Sequence, residues 1–498
     1  MITIIQLIIP LLIYFSLLFL IVVSINALLL RKKKIMYEIK YNKVYYLILV
    51  AVFAIGTFVR GINIIHYKYI LLDGIFYVAQ SASIISTNKF FFFQDPPTFS
   101  VLISLFNRLN IFSPSLGSFI NFLSGSLSIM FIFIVVLLYF RNYKAAIISS
   151  ILLCFSILHY EISIIAVLPF GVSIFLLLLG LIFLRLALLD NKKRNYIALG
   201  LCLGLAAQSY YVELAVVPAV LLYLLLKKGL RFAIKSKFII LILSILILII
   251  PFVLLQQSTK NEFFGNYFPN PDDSLSCGWY KNKCSLYGLN NLFTTFEVYQ
   301  KTIIKEPFFV LNNHDGNLMQ YLTFIFIGKG RVFKDISNIK DLNPDNFSDK
   351  TNFLFFLNLL FLVFVLIFAK KNRKEVILFV LIFLFLLSGY SMYYTRNHLY
   401  AGEIEIIGLI PLVSLGIVMF SNKMFKSHSL RLFFIVLVVL LLIFPFFSDN
   451  IVKKTFETSI FNGKNKGNSV EFWKSCSSLD INDYQNACIA IYKHLSGK

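Results

Sequence analysis

Ionised side chains are scarce in this sequence: Asp, Glu, Lys and Arg make up 14% of its 498 residues, too few to clothe a soluble domain. A glycine-rich phosphate loop is missing, and no stretch outside the apolar runs is long enough for a separate nucleotide-binding domain. No His, Cys or carboxylate cluster has metal-site spacing. Ionisable residues are nearly absent from the middle of the apolar runs, which ion pathways usually require. A clean internal repeat and a matched pair of Gly- or Pro-broken helices, both frequent in secondary transporters, are lacking too.

What the sequence has instead is apolar length. Hydrophobic residues make up 58% and aromatic ones 16%, and runs of about 20 apolar residues, one bilayer crossing each, recur from Ile2 to Phe447. Lipid offers no hydrogen-bond partners to a backbone, so such runs must be helices. The pattern predicts an all-α polytopic membrane protein of about twelve transmembrane helices. They are expected near 2–30, 44–62, 118–140, 145–160, 164–188, 196–210, 213–226, 238–255, 352–369, 376–392, 405–421 and 432–448. The first run is too long for a signal peptide and has no small-residue cleavage site, so it reads as a retained helix ending at Arg31-Lys32-Lys33-Lys34.

Lys and Arg gather in short cytoplasmic loops. With both termini outside, every basic cluster (31–43, 141–144, 185–194, 227–237, 370–375 and 423–431) falls on the cytoplasmic side. Those loops hold 24 Lys and Arg against three acids, Glu38, Asp190 and Glu375. The net charge of +22 is therefore a signal of topology. It gives no reason to invoke nucleic acid, which would need the cations gathered on one soluble face.

Four regions follow. An N-terminal transmembrane module, 1–255, contains a first external loop at 63–117, whose Ile, Phe and Tyr content predicts amphipathic helices along the membrane surface. A small external subdomain is expected at 256–350, C-terminal transmembrane helices at 351–448, and an external tail at 449–498. Cys154 and Cys202 sit inside apolar runs as small buried hydrophobes. Cys277 with Cys284, and Cys476 with Cys488, fall in external segments, where two even pairs fit disulfides in an oxidising compartment.

The stretch that bears on chemistry begins at Arg60 and includes His66, Lys68, Asp73, Gly74, Tyr77 and Ala79. After a Phe-rich run it reaches Asp95-Pro96-Pro97. This loop resembles that of the polytopic GT-C glycosyltransferases, in particular the protein mannosyltransferase and lipid A aminoarabinose transferase group (glycosyltransferase family 39). There an Arg near an early helix end precedes an Asp-Glu pair, then Tyr, Ala and a Pro-Pro step. Arg60, Asp73, Tyr77, Ala79, Pro96 and Pro97 match in order. Gly74 departs from the pattern where the family has Glu, so a divalent metal at an acidic pair is neither demanded nor barred. Phe170-Gly171 departs where the family commonly has Asp. Further on, Gly200 to Gln208, Val217 to Tyr223, and Tyr394-Thr-Arg396-Asn-His398 ahead of Pro411 resemble the family's later helices and a basic external loop.

The resemblance implies transfer of a sugar from a polyprenyl-phosphate donor to a protein or glycolipid acceptor, at the non-cytoplasmic face of a multi-pass plasma-membrane protein. A positioned carboxylate can deprotonate the attacking hydroxyl, and Asp73 is the candidate with Asp95 second. Arg396, Arg60, Lys68 and His398 are the candidates for the donor phosphate, with Tyr77, Glu161 and Glu213 as candidates to line the site. The ordinary alternatives are plain: Asp73 and Asp95 as helix caps, Arg60 and Arg396 as interfacial anchors, Glu161 and Glu213 as interface residues. A polysaccharide polymerase or ligase, and a lipid or saccharide transporter, are the competing functions.

Overall fold

The computed structural model describes residues 2–66, 96–108, 116–164, 169–258, 349–392 and 404–448, together with Tyr77, Gln80, Ser81, Ile84, Ile85 and 88–90. The external segments 256–350 and 449–498, and most of the first loop, fall largely or wholly outside the described residues, as do Cys277, Cys284, Cys476 and Cys488. Every regular element among the described residues is helical. In chain order they are α1 (Ile2–Tyr41), α2 (Lys43–His66), α3 (Pro97–Arg108), α4 (Leu116–Phe140), α5 (Tyr143–Cys154), α6 (Ile157–Ile164) and α7 (Phe170–Asp190). There follow α8 (Lys193–Ala207), α9 (Val216–Lys228), α10 (Ser236–Ser258), α11 (Asp349–Phe368), α12 (Arg373–Met392), α13 (Ile410–Met424) and α14 (His428–Ser448).

Each of the twelve expected runs contains helix among the described residues, but the runs are unequal. Among the described residues seven helices are long and apolar enough to cross a bilayer alone, and an eighth span arises if α5 and α6, bent by 61° at their junction, are taken as one. α8 and α9, with 15 and 13 residues, rise about 22 and 20 Å, short of a hydrocarbon core of about 30 Å. α8 spends its apolar character on protein: twelve of its fifteen residues are buried, between α7, α10 and α1. Its Gly200 and Gly204 give α10 room. A Cβ on Gly200 would lie 2.6 Å from Cβ of Ser244 and 2.7 Å from the carbonyl oxygen of Leu241, and one on Gly204 would lie 2.9 Å from Leu248. Small residues four apart admit a second helix this closely.

α1 does not end at its basic cluster. It runs 40 residues to Tyr41, about 60 Å, because Lys and Arg are good helix formers and nothing in 31–41 breaks the helix. At the end of α7 the chain turns through Asn191 in the left-handed region (φ 52°), its N–H closing onto the carbonyl of Ala187.

The basic loops meet at one end of the bundle, and their three acids do the joining. Asp190 at the end of α7 accepts from Arg31 of α1 at 2.6 and 2.7 Å. Glu375, at the start of α12, accepts from Lys227 of α9 at 2.7 Å and lies 3.6 Å from Arg185 of α7. Glu38 accepts from the Tyr143 hydroxyl of α5. Lys423 of α13 sits 3.3 Å over the ring of Phe368, beside the 370–375 cluster. All six charge clusters thus share one end, as the alternation of the sequence requires. An apolar core continuous from Ile5 to Ile443 fills the bundle between the ends.

Candidate functional site

α2 begins at Lys43 and α8 at Lys193, both at the basic end, so Arg60 and Gln208 near their other termini lie at the opposite end. There the described part of the first loop is seated. α3 starts at Pro97, where proline's fixed φ and missing N–H suit the first helical turn. Thr98 donates its N–H to the carbonyl of Gln208 and its Oγ1 to that of Leu205, each at 3.2 Å. The amide ends of α3 therefore meet the carbonyl end of α8, satisfying groups that both helices would otherwise leave bare. Gln208 in turn donates through Nε2 to the carbonyl of Leu248 on α10.

The polar face of α3 is also turned inward. Thr98, Ser100 and Ser104 are fully buried; Ser100 donates to Oε1 of Gln80 at 2.5 Å, and Ser104 is 2.7 Å from the hydroxyl of Tyr14 on α1. Phe90 donates its N–H to the carbonyl of Gln6. α3 is thus packed into the end of the bundle, where its hydroxyls find partners.

Tyr77, a sequence candidate, is buried, its ring edge-on to Phe99 of α3 at 5.4 Å. Glu213 is fully buried in the tight turn Tyr211–Ala215 that follows Gln208. The neighbouring Tyr210 packs its ring 5.0 Å from Phe170 at the start of α7. Tyr77 therefore packs against α3, while Glu213 sits in the turn just beyond Gln208, to which α3 is bonded.

Arg60 is fully buried, and its two terminal nitrogens have protein partners while Nε has none among the described residues. Nη1 donates to the carbonyl of Gly56 at 3.0 Å; Nη2 reaches the carbonyls of Leu153 at 3.4 Å and Cys154 at 3.2 Å, and Nδ1 of His159 at 2.8 Å. Its guanidinium also stands 5.9 Å from the ring centroid of Tyr160. The carbonyls belong to the last turn of α5, freed where the helix bends into α6, and Ser156 caps the new start by accepting the N–H of His159 at 3.2 Å. Nδ1 of His159 lies between Nη2 of Arg60 and the carbonyl of Leu153, 3.1 Å away, and accepts from the first or donates to the second according to its tautomer. Arg60 is accordingly a clasp on a broken helix, in place of the surface anchor or open phosphate ligand that its sequence position suggests. Sequence reasoning missed this because the partners lie more than ninety residues away.

Glu161 lies on α6, two residues beyond His159, with its side chain outside the described residues. Lys68, Asp73, Asp95, Arg396 and His398 also lie outside them. Pro96 occupies the position ahead of the first helical residue of α3, so Asp95 stands one residue before the capping position. Thr98 and Gln208 were not singled out; a clustering of Thr, Ser and Gln in an otherwise apolar loop was the available signal. Among the described residues no group of three or more His, Cys, Asp or Glu could hold a metal ion.

Residues 94–255, a third of the chain, match the family model described as dolichyl-phosphate-mannose-protein mannosyltransferase. No curated protein matches the sequence. Among solved structures the chain is similar to the archaeal oligosaccharyltransferase AglB from Archaeoglobus fulgidus, solved with an inhibitory peptide and a dolichol-phosphate. The TM-score is 0.52 at 13% identity, over 84% of this chain and 56% of that one. It is also similar to ArnT from Cupriavidus metallidurans bound to undecaprenyl phosphate, with a TM-score of 0.52 at 10% identity, over 86% of this chain and 80% of that one. The chain spans little more than half of the oligosaccharyltransferase, and at such identities the likeness is one of fold. The first-loop motif and the three-dimensional comparison agree: this chain has the polytopic helical fold of the GT-C glycosyltransferases, and its residues 94–255 match their protein-mannosyltransferase model.

Proposed function

We propose that this protein is a membrane glycosyltransferase that moves a sugar from a polyprenyl-phosphate-linked donor to an acceptor hydroxyl on a protein or a membrane glycolipid, at the non-cytoplasmic face and with inversion. The observation that carries the reading is the seat of α3. The loop bearing Asp73 and Asp95 leads into a helix locked through Thr98 to Gln208, at the end of the bundle opposite the basic clusters, and the matched segment 94–255 starts at that same junction. Two solved proteins of like fold hold a dolichol-phosphate and an undecaprenyl phosphate, which supports a lipid-phosphate donor here.

In this reading the acceptor oxygen attacks the anomeric carbon while Asp73 takes its proton, with Asp95 as the second carboxylate. The bond from that carbon to the phosphate oxygen breaks, and the lipid phosphate leaves with its negative charge. General-base assistance of this kind contributes roughly 10²- to 10⁴-fold. Arg396, with Lys68 and His398, steadies the departing phosphate, because a planar guanidinium fork suits phosphate oxygens. Arg60, occupied by the bend, is not assigned to that task. Tyr77, Glu161 and Glu213 are assigned to the wall of the site, and the 256–350 segment to acceptor choice.

The test is direct. Purified protein in vesicles is given a panel of radiolabelled polyprenyl-phosphate sugars and an extract of cell-envelope acceptors. Release of free polyprenyl phosphate together with label in a new glycosidic bond is expected. Movement of the labelled carrier across the bilayer without bond formation favours a transporter and overturns the reading.

A further inference from the structure

The turn joining α9 to α10 has no part in the proposed reaction, and it is built unlike the other loops of the basic end. Leu230 and Ile234 are 81% and 78% exposed, more than any other large hydrophobic residue described. They are not on a loose strand. Gly229, at φ +85° with open space around it, ends α9 abruptly, and the chain closes into a tight 3-10 turn from Leu230 to Ile234. Between the two bare side chains Phe232 is buried, its ring 5.9 Å from Tyr196 and 5.8 Å from Phe238. Phe232 and Lys235 each close a backbone hydrogen bond of 3.0 Å across the turn.

A collar of cations surrounds this tip. Lys228, Arg231 and Lys235 are exposed and Lys237 is half-buried. None of the four makes a salt bridge among the described residues, whereas Lys227 is taken by Glu375. No acid occurs between 227 and 237. Exposed aliphatic residues lead up to the tip from both sides: Leu222 and Leu226 on α9, Ile239 and Leu243 on α10. Exposed aliphatic side chains inside a ring of cations match the two layers of a leaflet, acyl chain and anionic headgroup.

We propose that this turn is a wedge in the membrane interface at the basic end of the bundle. Leu230 and Ile234 enter the acyl layer, and Lys228, Arg231, Lys235 and Lys237 bind anionic phospholipid headgroups. The occupant is lipid, since the tip prolongs the apolar surfaces of two helices that already face out of the protein, and the collar is of one sign.

The experiment places a reporter on the tip. Full-length Leu230→Trp protein is reconstituted in mixed vesicles containing either brominated phosphatidylglycerol or brominated phosphatidylcholine at equal mole fraction. The signal of wild-type protein, due to Trp279 and Trp473, is subtracted. Ile234→Trp is the independent second reporter, and gel filtration selects folded protein. Both reporters are expected to emit in the blue, to be quenched by both lipids, and to be quenched more by phosphatidylglycerol. Substituting Lys228, Arg231 and Lys235 by Gln should lower that preference by roughly fivefold per cation while leaving quenching by phosphatidylcholine in place. Emission characteristic of water with no bromine quenching overturns the wedge. Equal quenching by the two lipids in the unsubstituted collar overturns the headgroup site, and shielding of the reporter by a second copy or another protein overturns lipid as the occupant.

Discussion

Nη2 of Arg60 lies 2.8 Å from Nδ1 of His159 and reaches the carbonyls of Leu153 and Cys154 as well. One side chain from α2 thus holds both sides of the bend between α5 and α6. Removing it strands the buried carbonyl of Cys154, at about 1–3 kcal/mol, while that of Leu153 keeps the Ser156 N–H and Nδ1 of His159 nearby.

Arg60→Gln should therefore lower stability by about 1–3 kcal/mol, read as a fall in the thermal midpoint of the purified protein in detergent. A phosphate ligand would behave otherwise: its loss would weaken donor binding and leave the midpoint in place. An unchanged midpoint with weakened binding of polyprenyl phosphate contradicts the clasp.

Glu375 joins two cations, Lys227 and Arg185. Glu375→Gln leaves both facing each other in a mostly buried setting, at a cost of about 3 kcal/mol. The double substitution of Glu375→Leu with Lys227→Met should recover only part of the loss, because Arg185 stays buried without its carboxylate. Thermal midpoints of the single and double variants give the coupling, and a double variant as unstable as the sum of its parts contradicts it.

Gly200→Ala drives a Cβ into Ser244 and the backbone of Leu241. Overpacking of this kind costs about 1–3 kcal/mol, and the carbonyl cannot move without α10. Pairing it with Ser244→Gly relieves the side-chain clash and leaves the backbone one, so recovery should be partial. Complete recovery indicates that α8 and α10 have slack that the structure does not show.

Most of the architecture was legible in the sequence because membrane helices announce themselves twice, by apolar length and by the basic loops between them. The joining of Arg31 to Asp190 and of Lys227 to Glu375 follows from a one-sided charge pattern. Helix length was less legible. α8 is shorter than a bilayer crossing because it is enclosed by α7, α10 and α1, whereas α9 is short and keeps Leu222 and Leu226 on an outward face. α1 passed through a basic cluster that looked like its end, since those residues propagate helix as well as they face water.

The site was legible by type and not by partner. Tyr77 and Glu213 were singled out as possible linings; Tyr77 is buried against Phe99 of α3 and Glu213 in the turn that follows α8. The polar cluster around Thr98 was visible but its partners were not, because a hydroxyl and an amide bonding to backbone carbonyls need no particular residue across from them. Arg60 was read for its charge at a helix end, whereas its role comes from the bend in another helix.

Asp73 carries the central claim, and sugar transfer by Asp73→Asn protein tests it most directly. In vesicles supplied with the labelled polyprenyl-phosphate sugar and acceptor used by the wild type, the account predicts a rate at least about 10²-fold lower, with polyprenyl phosphate binding and thermal midpoint preserved. Transfer at the wild-type rate from the folded Asp73→Asn variant would contradict it.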